Sequence, residues 1–371
     1  MCFMKGENIF VNKENLPDLI IGDLVVNPPI IQGGMGVRIS TARLVAAVSN
    51  EGAMGVIASV GLGEEGLKNI TYEERSKLAL RQMIQEAKHY TNKNFAVNIM
   101  CALTNYDDLV KIAIDEKVSA IISGAGLPLH LPALARNSST KLIPIVSSAR
   151  AADIILRSWI KRYQKIPDAF VVEGSLAGGH LGFSYSEAVG LEESNLDDIV
   201  KDILQLVKNY EQKYTKKIPV IAAGGIFSGT DIARVLKLGA SGVQMATRFV
   251  CTNECEVSEK YKEIYLNCKK EDIVVILSPV GMPARVVKNN FIERIQSGEK
   301  MKFECPYRCL KTCDPYSANY CLSKALVNGY RGNLENGIVM CGANAYRVRK
   351  IVPVKDLINE LVQECSRELN G

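Results

Sequence analysis

The sequence predicts an α/β fold, namely a parallel (β/α)8 barrel of the TIM type with a smaller C-terminal cap or insert region. Short apolar runs rich in Val, Ile and Ala recur along the chain, mostly at spacings of roughly 25 residues. Amphipathic stretches separate these runs, as expected for strands that helices bury on both faces. Glycines and small polar residues follow most of the runs, on the rim where barrel enzymes carry their sites.

Eight apolar runs are candidate strands. They lie at residues 29–32, 54–59, 95–99, 118–123, 142–147 and 169–173 and within the segments 219–226 and 240–248. The amphipathic stretches 41–48, 74–87, 106–114 and 196–210 are candidate helices between them. An open doubly wound sheet uses the same units and is the alternative. Glycine clusters after the first, fourth, sixth and seventh runs favour the barrel, because they indicate a large flat ligand against one rim.

The last two runs indicate a phosphate site. Gly224 and Gly225 end the seventh run, where the absence of side chains lets backbone N–H groups approach an anion. The stretch 228–238 is predicted to be a helix whose positive N-terminus faces that anion. The loops after strands seven and eight form the common phosphate site of such barrels. The chain is therefore expected to bind a phosphate-bearing cofactor.

Length and composition are consistent with a barrel that carries an appendage. The chain has 371 residues, whereas a barrel of this type takes about 250. We expect the barrel at 18–270 and a cap and C-terminal region at 271–371, with a Cys-rich insert near 300–330. No apolar run approaches the ~20 residues of a membrane span. The net charge is +5, but the basic residues are interleaved with 40 acidic ones, which argues against a nucleic-acid partner.

The cellular compartment follows from the N-terminus and the cysteines. Residues 1–15 mix charged and apolar side chains and lack the continuous apolar core of a signal peptide. Eleven cysteines without an export signal are typical of reduced thiols in a cytoplasmic chain. We therefore expect a cytoplasmic protein with no membrane contact.

Four motifs together resemble one enzyme family. They are 28–36 (Pro-Pro-Ile-Ile-Gln-Gly-Gly-Met-Gly), 177–180 (Ala-Gly-Gly-His), 222–226 (Ala-Ala-Gly-Gly-Ile) and 242–249 (Gly-Val-Gln-Met-Ala-Thr-Arg-Phe). In this order, at these strand ends, they are similar to the nitronate monooxygenase family, formerly the 2-nitropropane dioxygenases. The FMN-type enoyl-ACP reductases belong to the same superfamily. The resemblance covers residues 18–290 and resumes at the C-terminus.

The resemblance implies FMN bound without a covalent link. Gly224, Gly225 and the backbone near Thr247 would hold its phosphate, and the first glycine pair would lie along the isoalloxazine ring. Asn98 offers an amide to the polar edge of the ring. The expected cofactor-binding residues are Gly33, Gly34, Met35, Asn98, Gly124, Glu173, Gly178, Gly179, Gly224, Gly225, Ala246 and Thr247. Glu173 has a second interpretation, a carboxylate that orders a neighbouring loop.

His180 is the expected catalytic residue. The chain has three histidines, and His89 and His130 lie at a predicted helix end and in a Pro-rich loop, where capping or solvated roles suffice. The small residues before His180 leave room for its imidazole to reach over the flavin. An ordinary pKa of about 6.5 would suit proton exchange with a substrate.

The motifs leave the reaction open between two classes. The favoured one is oxidation of alkyl nitronates with oxygen, because a polar rim, His180 and nearby cations would suit a small anion. The alternative is an enoyl-ACP or quinone reductase that uses NAD(P)H as a transient co-substrate. A flavin-binding protein without turnover is a weaker third. Leu176 stands where many family members carry an acid, which bears on substrate choice. The expected partners are a small-molecule substrate, nitronate or enoyl thioester, and a second copy in a homodimer.

Two segments near the C-terminus are less familiar. Cys305, Cys309, Cys313 and Cys321 fall within seventeen positions, and their spacing matches no strong metal signature. Separations of four would place the first three along one helix. Metal binding, redox-active thiols, and packing or a lid over the substrate all remain open. The segment 278–285 is expected to form a loop over the pocket, with Arg285 as a substrate contact or a helix cap.

Overall fold

The computed structural model describes residues 16–64, 69–192, 195–305 and 308–371. The N-terminal segment on which the export prediction rests lies outside them. Strands β1 (Leu19–Ile21) and β2 (Leu24–Val26) form an antiparallel hairpin. The eight barrel strands that follow are β3 (Ile30–Gln32), β4 (Gly55–Ala58), β5 (Phe95–Met100), β6 (Ala120–Gly124), β7 (Lys141–Val146), β8 (Phe170–Glu173), β10 (Val220–Ala223) and β11 (Gly242–Met245). All eight predicted strands are confirmed, with bounds shifted by one or two residues.

These strands form one parallel sheet in the order β3-β11-β10-β8-β7-β6-β5-β4. Its two end strands also meet, because Ile31 bridges Met54 in parallel and the Gln32 amide donates to the Met54 carbonyl at 2.9 Å. The sheet is thus closed into the predicted barrel, and the doubly wound alternative is wrong. All the strand C-termini consequently point to one rim.

Helices surround the barrel where amphipathic stretches occur. They are α1 (Ala42–Asn50), α2 (Tyr72–Tyr90), α3 (Tyr106–Asp115), α4 (Leu131–Leu134), α5 (Ala149–Tyr163), α6 (Tyr185–Val189), α7 (Leu196–Tyr214), α8 (Gly229–Lys237), α9 (Thr247–Val250), α10 (Glu259–Asn267), α11 (Asn290–Gln296), α12 (Leu322–Tyr330) and α13 (Val354–Asn370). Side chains at helix starts accept N–H groups that lack helical partners, as Ser148 does from Ala151. No helix of the described residues is both long and apolar enough to span a bilayer.

Two apolar cores hold the barrel together. The larger one lies between the strands and the surrounding helices and contains fully buried side chains such as Trp159 and Phe170. The smaller one fills the interior with residues such as Ile122 and Ile221. Leu19, Ile21 and Val26 of the β1–β2 hairpin belong to this inner core. The hairpin therefore plugs the barrel interior at the end opposite the candidate site.

A small antiparallel sheet covers the opposite rim. It consists of β12 (Ile273–Leu277), β13 (Pro283–Val287) and β9 (Gly179–His180), in that order. The expected loop at 278–285 is only half right: residues 278–282 turn, and Arg285 lies within β13. The expectation that Cys305 to Cys313 share a helix is wrong. The described residues there form extended chain and turns, in which Leu310 bridges Leu103 in antiparallel fashion.

The C-terminal helix α13 returns to the barrel. It packs against α8, and the Glu364 carboxylate accepts the Gly229 amide at 2.8 Å. Its buried face includes Leu357, Leu361 and Cys365. The division of the chain near residue 270 into a barrel and a cap stays a prediction, and this contact shows that the last helix lies against the barrel layer.

Candidate active site

A cavity of about 380 Å³ opens at the C-terminal ends of the barrel strands. Every residue that the sequence singled out as catalytic or cofactor-binding lines it. These residues are Gly33, Gly34, Met35, Asn98, Gly124, Glu173, Gly178, Gly179, His180, Gly224, Gly225, Ala246 and Thr247. They come from six different barrel loops, which the closed sheet brings together at one rim.

One end of the cavity is suited to a phosphate. Gly224 and Gly225 both have left-handed backbone, with φ of 90° and 80°. A Cβ on Gly224 would lie 2.8 Å from the Gly174 carbonyl oxygen, so a side chain is excluded there. Thr247 lies beside this glycine pair at the end of β11, where its Oγ1 accepts the Gly342 amide at 3.2 Å. Exposed backbone beside a hydroxyl is a common phosphate cradle.

The predicted role of the helix at 228–238 is wrong. The first turn of α8 is already capped: Ser228 Oγ accepts the Asp231 amide, and Glu364 of α13 accepts that of Gly229. The Asp231 carboxylate in turn accepts the amides of Phe227 and Ser228. These carboxylates neutralise the positive end of the helix, so the glycine pair and the 246–247 backbone remain as the phosphate cradle.

The floor of the cavity is flat and carries amide groups. A Cβ on Gly34 would lie 2.5 Å from Asn98 Cβ, so only glycine leaves a smooth surface there. Asn98 Nδ2 donates to the Ile122 carbonyl at 3.2 Å, which fixes the amide and leaves Oδ1 for a ligand. Gln244 Oε1 is buried and has no hydrogen-bond partner among the described residues. A flat floor edged by unused amide oxygens fits the ring system of FMN, and the cradle fits its phosphate.

Glu173 brings a carboxyl group into the cavity at the end of β8. Burial raises its pKa from 4.5 to about 7. No neighbouring charge contributes to the shift, since desolvation is its sole cause. Near neutral pH this group is therefore close to half protonated and can donate as well as accept.

His180 lies on β9 and is held by the cap sheet. It pairs with Ala284 of β13, and its Nε2 lies 3.0 Å from the Ser278 hydroxyl. Burial lowers its pKa from 6.5 to about 4. The expectation of an ordinary histidine pKa is thus wrong, because the imidazole is desolvated and no carboxylate stabilises its charged form. It is neutral at physiological pH.

The cations expected at the site are not found there. Arg285 is buried and donates to the carbonyls of Ser175, Ala177 and Ala188 at 2.5 to 2.7 Å. Its guanidinium thus fastens the loop that carries the Ala-Gly-Gly-His motif and caps the C-terminal turn of α6 at the Ala188 carbonyl, as the helix-cap alternative expects, and Arg285 does not line the cavity. Within the described part of the chain, no Lys or Arg lines the cavity. Leu176, at the position of the missing acid, does line it.

The other two histidines lie outside the cavity. His130 Nε2 contacts the Asp107 carboxylate at 2.7 Å, and His89 lies in the last turn of α2. Their expected surface and helix-end roles agree with these positions. His180 is therefore the histidine that reaches the site.

Sequence reasoning missed a loop that follows the cap. Met340, Cys341 and Gly342 line the cavity, although they lie far from the family motifs in the chain. Asn344 Nδ2 donates to the Gly225 carbonyl at 2.7 Å and so fixes the phosphate cradle. The one available signal was the short Cys-Gly-Ala-Asn sequence, which is ordinary turn chemistry.

The Cys-rich insert also forms part of the cavity wall. Cys309 and Leu310 line it, together with Leu322, Ser323 and Leu326 from α12. Burial raises the pKa of the Cys309 thiol to about 12. Among the described residues, no group of three or more Cys, His, Asp or Glu side chains is arranged to hold a metal ion. The packing and lid interpretation is the one for which the structure provides contacts.

Comparisons with known proteins agree with this site. A family model described as nitronate monooxygenase matches residues 18–364. A probable nitronate monooxygenase of Staphylococcus saprophyticus is 30% identical over 74% of this chain and 80% of its own. A (3aS,4S,5R,7aS)-5-hydroxy-7a-methyl-1-oxo-octahydro-1H-indene-4-carboxyl-CoA dehydrogenase of Mycobacterium tuberculosis is 30% identical over 75% of this chain and 68% of its own.

Among solved structures, FabK from Thermotoga maritima is similar in both fold and sequence. It superimposes with a TM-score of 0.72 and is 34% identical, covering 92% of this chain and 94% of its own. The family match extends over nearly all of the described residues, including the barrel loops that carry the site. The chain therefore belongs to the nitronate monooxygenase family and is an FMN-dependent oxidoreductase.

Proposed function

We propose that the protein is an NAD(P)H-dependent reductase of 2-enoyl thioesters. The lack of a cation carries this choice: no Lys or Arg of the described chain lines the mainly apolar cavity, and His180 in it is neutral. A nitronate anion would lose its hydration without gaining a cationic partner, which is costly. The reacting end of an enoyl thioester is neutral, so it loses little hydration free energy when it enters the cavity. The Mycobacterium tuberculosis relative, named as a dehydrogenase of a carboxyl-CoA, supports the thioester class.

The residues of the site have separate roles in this reaction. When bound, FMN would supply hydride-transfer chemistry between NAD(P)H and the β-carbon of the substrate. Gly224, Gly225 and Thr247 hold the phosphate. The neutral imidazole of His180 hydrogen-bonds the thioester carbonyl, where negative charge develops as the hydride arrives. Ser278, bonded to Nε2 at 3.0 Å, orients the ring. A proton from solvent water adds at the α-carbon and completes the saturated thioester, and NAD(P)+ is the second product.

Anaerobic rapid mixing tests the proposal. NADH or NADPH should bleach the bound flavin within the turnover time, and trans-2-octenoyl-CoA should restore its colour without oxygen. His180→Ala should retain FMN and lose about a hundredfold or more in kcat. Ser184→Ala, which changes an exposed helix cap outside the cavity, is the control and should keep full activity. The proposal would be overturned if NADH or NADPH reduced the flavin rapidly and no enoyl thioester reoxidised it.

Nitronate oxidation is the second candidate. The family model and the Staphylococcus relatives carry that name, and the sequence motifs are shared by both reactions. If it is the true activity, propyl nitronate should bleach the flavin faster than NADH or NADPH does. Air should then restore the colour with release of nitrite. This pattern, without turnover of thioesters, would replace the reductase proposal.

A further inference from the structure

The cavity has two chemically different ends. The phosphate cradle lies at the ends of β10 and β11, and in the closed strand order these lie across the barrel from β5 and β6. At that opposite end the wall is apolar and comes from barrel loops and from the Cys-rich insert. Its members are Val37, Val60, Leu103, Leu310, Leu322 and Leu326. We call these six side chains the apolar wall.

Half of the apolar wall comes from the insert. Leu322 and Leu326 are one helical turn apart on α12, so the two leucines share one face of that helix. Ser323 lies on the same face, and its hydroxyl donates to the Glu64 carboxylate after β4. Ala325 and Val327 are buried, and Ala325 packs in the separate core of the cap. Leu322 and Leu326 also contact that core, so the face of α12 that lines the cavity is packed against the cap as well.

The insert is fastened to the barrel at two places. The Ser323–Glu64 hydrogen bond fixes the start of α12, where a carboxylate also favours the helix dipole. The chain at 309–311 runs beside the loop after β5: the Thr104 amide donates to the Cys309 carbonyl at 3.2 Å, and the Lys311 amide donates to that of Ala102 at 2.9 Å. The apolar wall is thus a fixed surface and can discriminate by size.

We propose that the apolar wall holds the alkyl chain of the substrate and that Leu326 sets the chain length accepted. This inference rests on the proposed thioester reductase activity and narrows its substrates to medium or long 2-enoyl chains. The thioester lies beside His180, between the two ends, so its alkyl tail points away from the phosphate cradle towards the insert. Each methylene buried there would improve apparent affinity by about fourfold.

The test compares chain lengths in Leu326 variants. Wild type should reduce trans-2-dodecenoyl-CoA with a higher kcat/KM than trans-2-butenoyl-CoA. Leu326→Phe should lower kcat/KM for the long substrate about tenfold or more and change that for the short one less than twofold. Leu326→Ala should keep the wild-type kcat/KM for the long substrate. Leu334→Ala and Leu334→Phe are matched controls, because Leu334 is a partly buried leucine of the cap that does not line the cavity.

A binding measurement tests the apolar wall separately from the proposed thioester reductase activity. Butyryl-CoA and lauroyl-CoA are titrated into the FMN-bound enzyme, and the change in flavin absorbance gives the two dissociation constants without turnover. Weaker binding of lauroyl-CoA alone in Leu326→Phe supports the wall even if no enoyl thioester is reduced, in which case only the proposed activity fails. Equal losses at both lengths, the same loss in the Leu334 variants, or no binding of either ligand would overturn the inference.

Discussion

Glu173 and His180 show how burial sets the chemistry of single residues in this site. Both lie in the cavity, and for both the cause of the pKa shift is desolvation. The carboxyl group consequently keeps its proton to about pH 7, while the imidazole loses its own by about pH 4. Near neutral pH the imidazole is therefore neutral and the carboxyl group is about half ionised, so neither residue gives the site a positive charge. This suits hydride transfer to a neutral substrate better than the capture of an anion.

The raised pKa of Glu173 predicts a pH-dependent stability. Between pH 4.5 and about 7 the folded protein retains a proton that the unfolded chain has released, so this contribution is complete below pH 4.5 and is lost as pH rises to 7. Glu173→Gln removes it. The Tm of FMN-free Glu173→Gln should exceed that of FMN-free wild type by a few degrees at pH 8, and by less at pH 5, as calorimetry would show.

His180 contributes with the opposite sign, because its lowered pKa costs stability as pH falls through 6.5 towards about 4. This contribution is common to wild type and variant and cancels in the comparison. Glu86→Gln, exposed on α2, is the control and should follow wild type at every pH. A Tm difference between Glu173→Gln and wild type that does not change with pH would contradict the assignment.

The positions of these residues could be predicted from the sequence, but their ionisation could not. Strand ends in a parallel barrel share one rim, so the Ala-Gly-Gly-His motif and Glu173 had to lie near the glycine pairs. The pKa of His180 depends on the cap sheet that buries it. That sheet joins β9 to β13, about a hundred residues later, and no local pattern in the chain announces the contact.

At the scale of elements, two C-terminal segments contact the barrel in different ways. Asn344 contacts the cradle itself through the Gly225 carbonyl, whereas Glu364 of α13 caps α8, which does not face the cavity. The sequence motifs place the glycines but contain neither partner. A local pattern cannot show that a capping carboxylate arrives from a helix 135 positions further along the chain.

This difference predicts opposite outcomes for two substitutions. Asn344→Ala should raise the Kd for FMN about tenfold, because one hydrogen bond that fixes the cradle is lost. Glu364→Ala should lower the free energy of unfolding by about 1 kcal/mol through the uncapped helix and leave the Kd for FMN unchanged. Flavin fluorescence titration and urea unfolding measure the two effects. Weaker FMN binding in Glu364→Ala would restore the helix N-terminus as a phosphate ligand.

At the scale of the whole molecule, the cavity at the barrel rim contains one candidate phosphate cradle, formed by Gly224, Gly225 and Thr247. We therefore expect the purified enzyme to be yellow and to release FMN on denaturation. Chromatography of the released flavin with FMN and FAD standards measures this. Stoichiometric FAD would contradict the prediction, because its adenosine would need a site that the cradle does not provide.

The fold was predictable because the barrel repeats one unit eight times, and each repeat gives its own apolar run and rim residues. The cap was less predictable, since 271–341 combines a hairpin, short helices and an irregular insert whose contacts with the barrel are long-range. Cys305 to Cys313 illustrate the difficulty: their spacing of four suggests a helix, yet pairing of Leu310 with Leu103 holds the chain extended. Tertiary contact outweighed local periodicity there.

The β1–β2 hairpin has a kinetic consequence. The hairpin closes one end of the barrel with Leu19, Ile21 and Val26. Ligands therefore reach the flavin from the other end, through the rim that the cap sheet partly covers. NAD(P)H and the enoyl thioester would enter through the same opening and would bind one after the other. The oxidised nucleotide then departs before the acceptor arrives, which gives parallel lines in double-reciprocal plots. A high concentration of either substrate would inhibit binding of the other competitively.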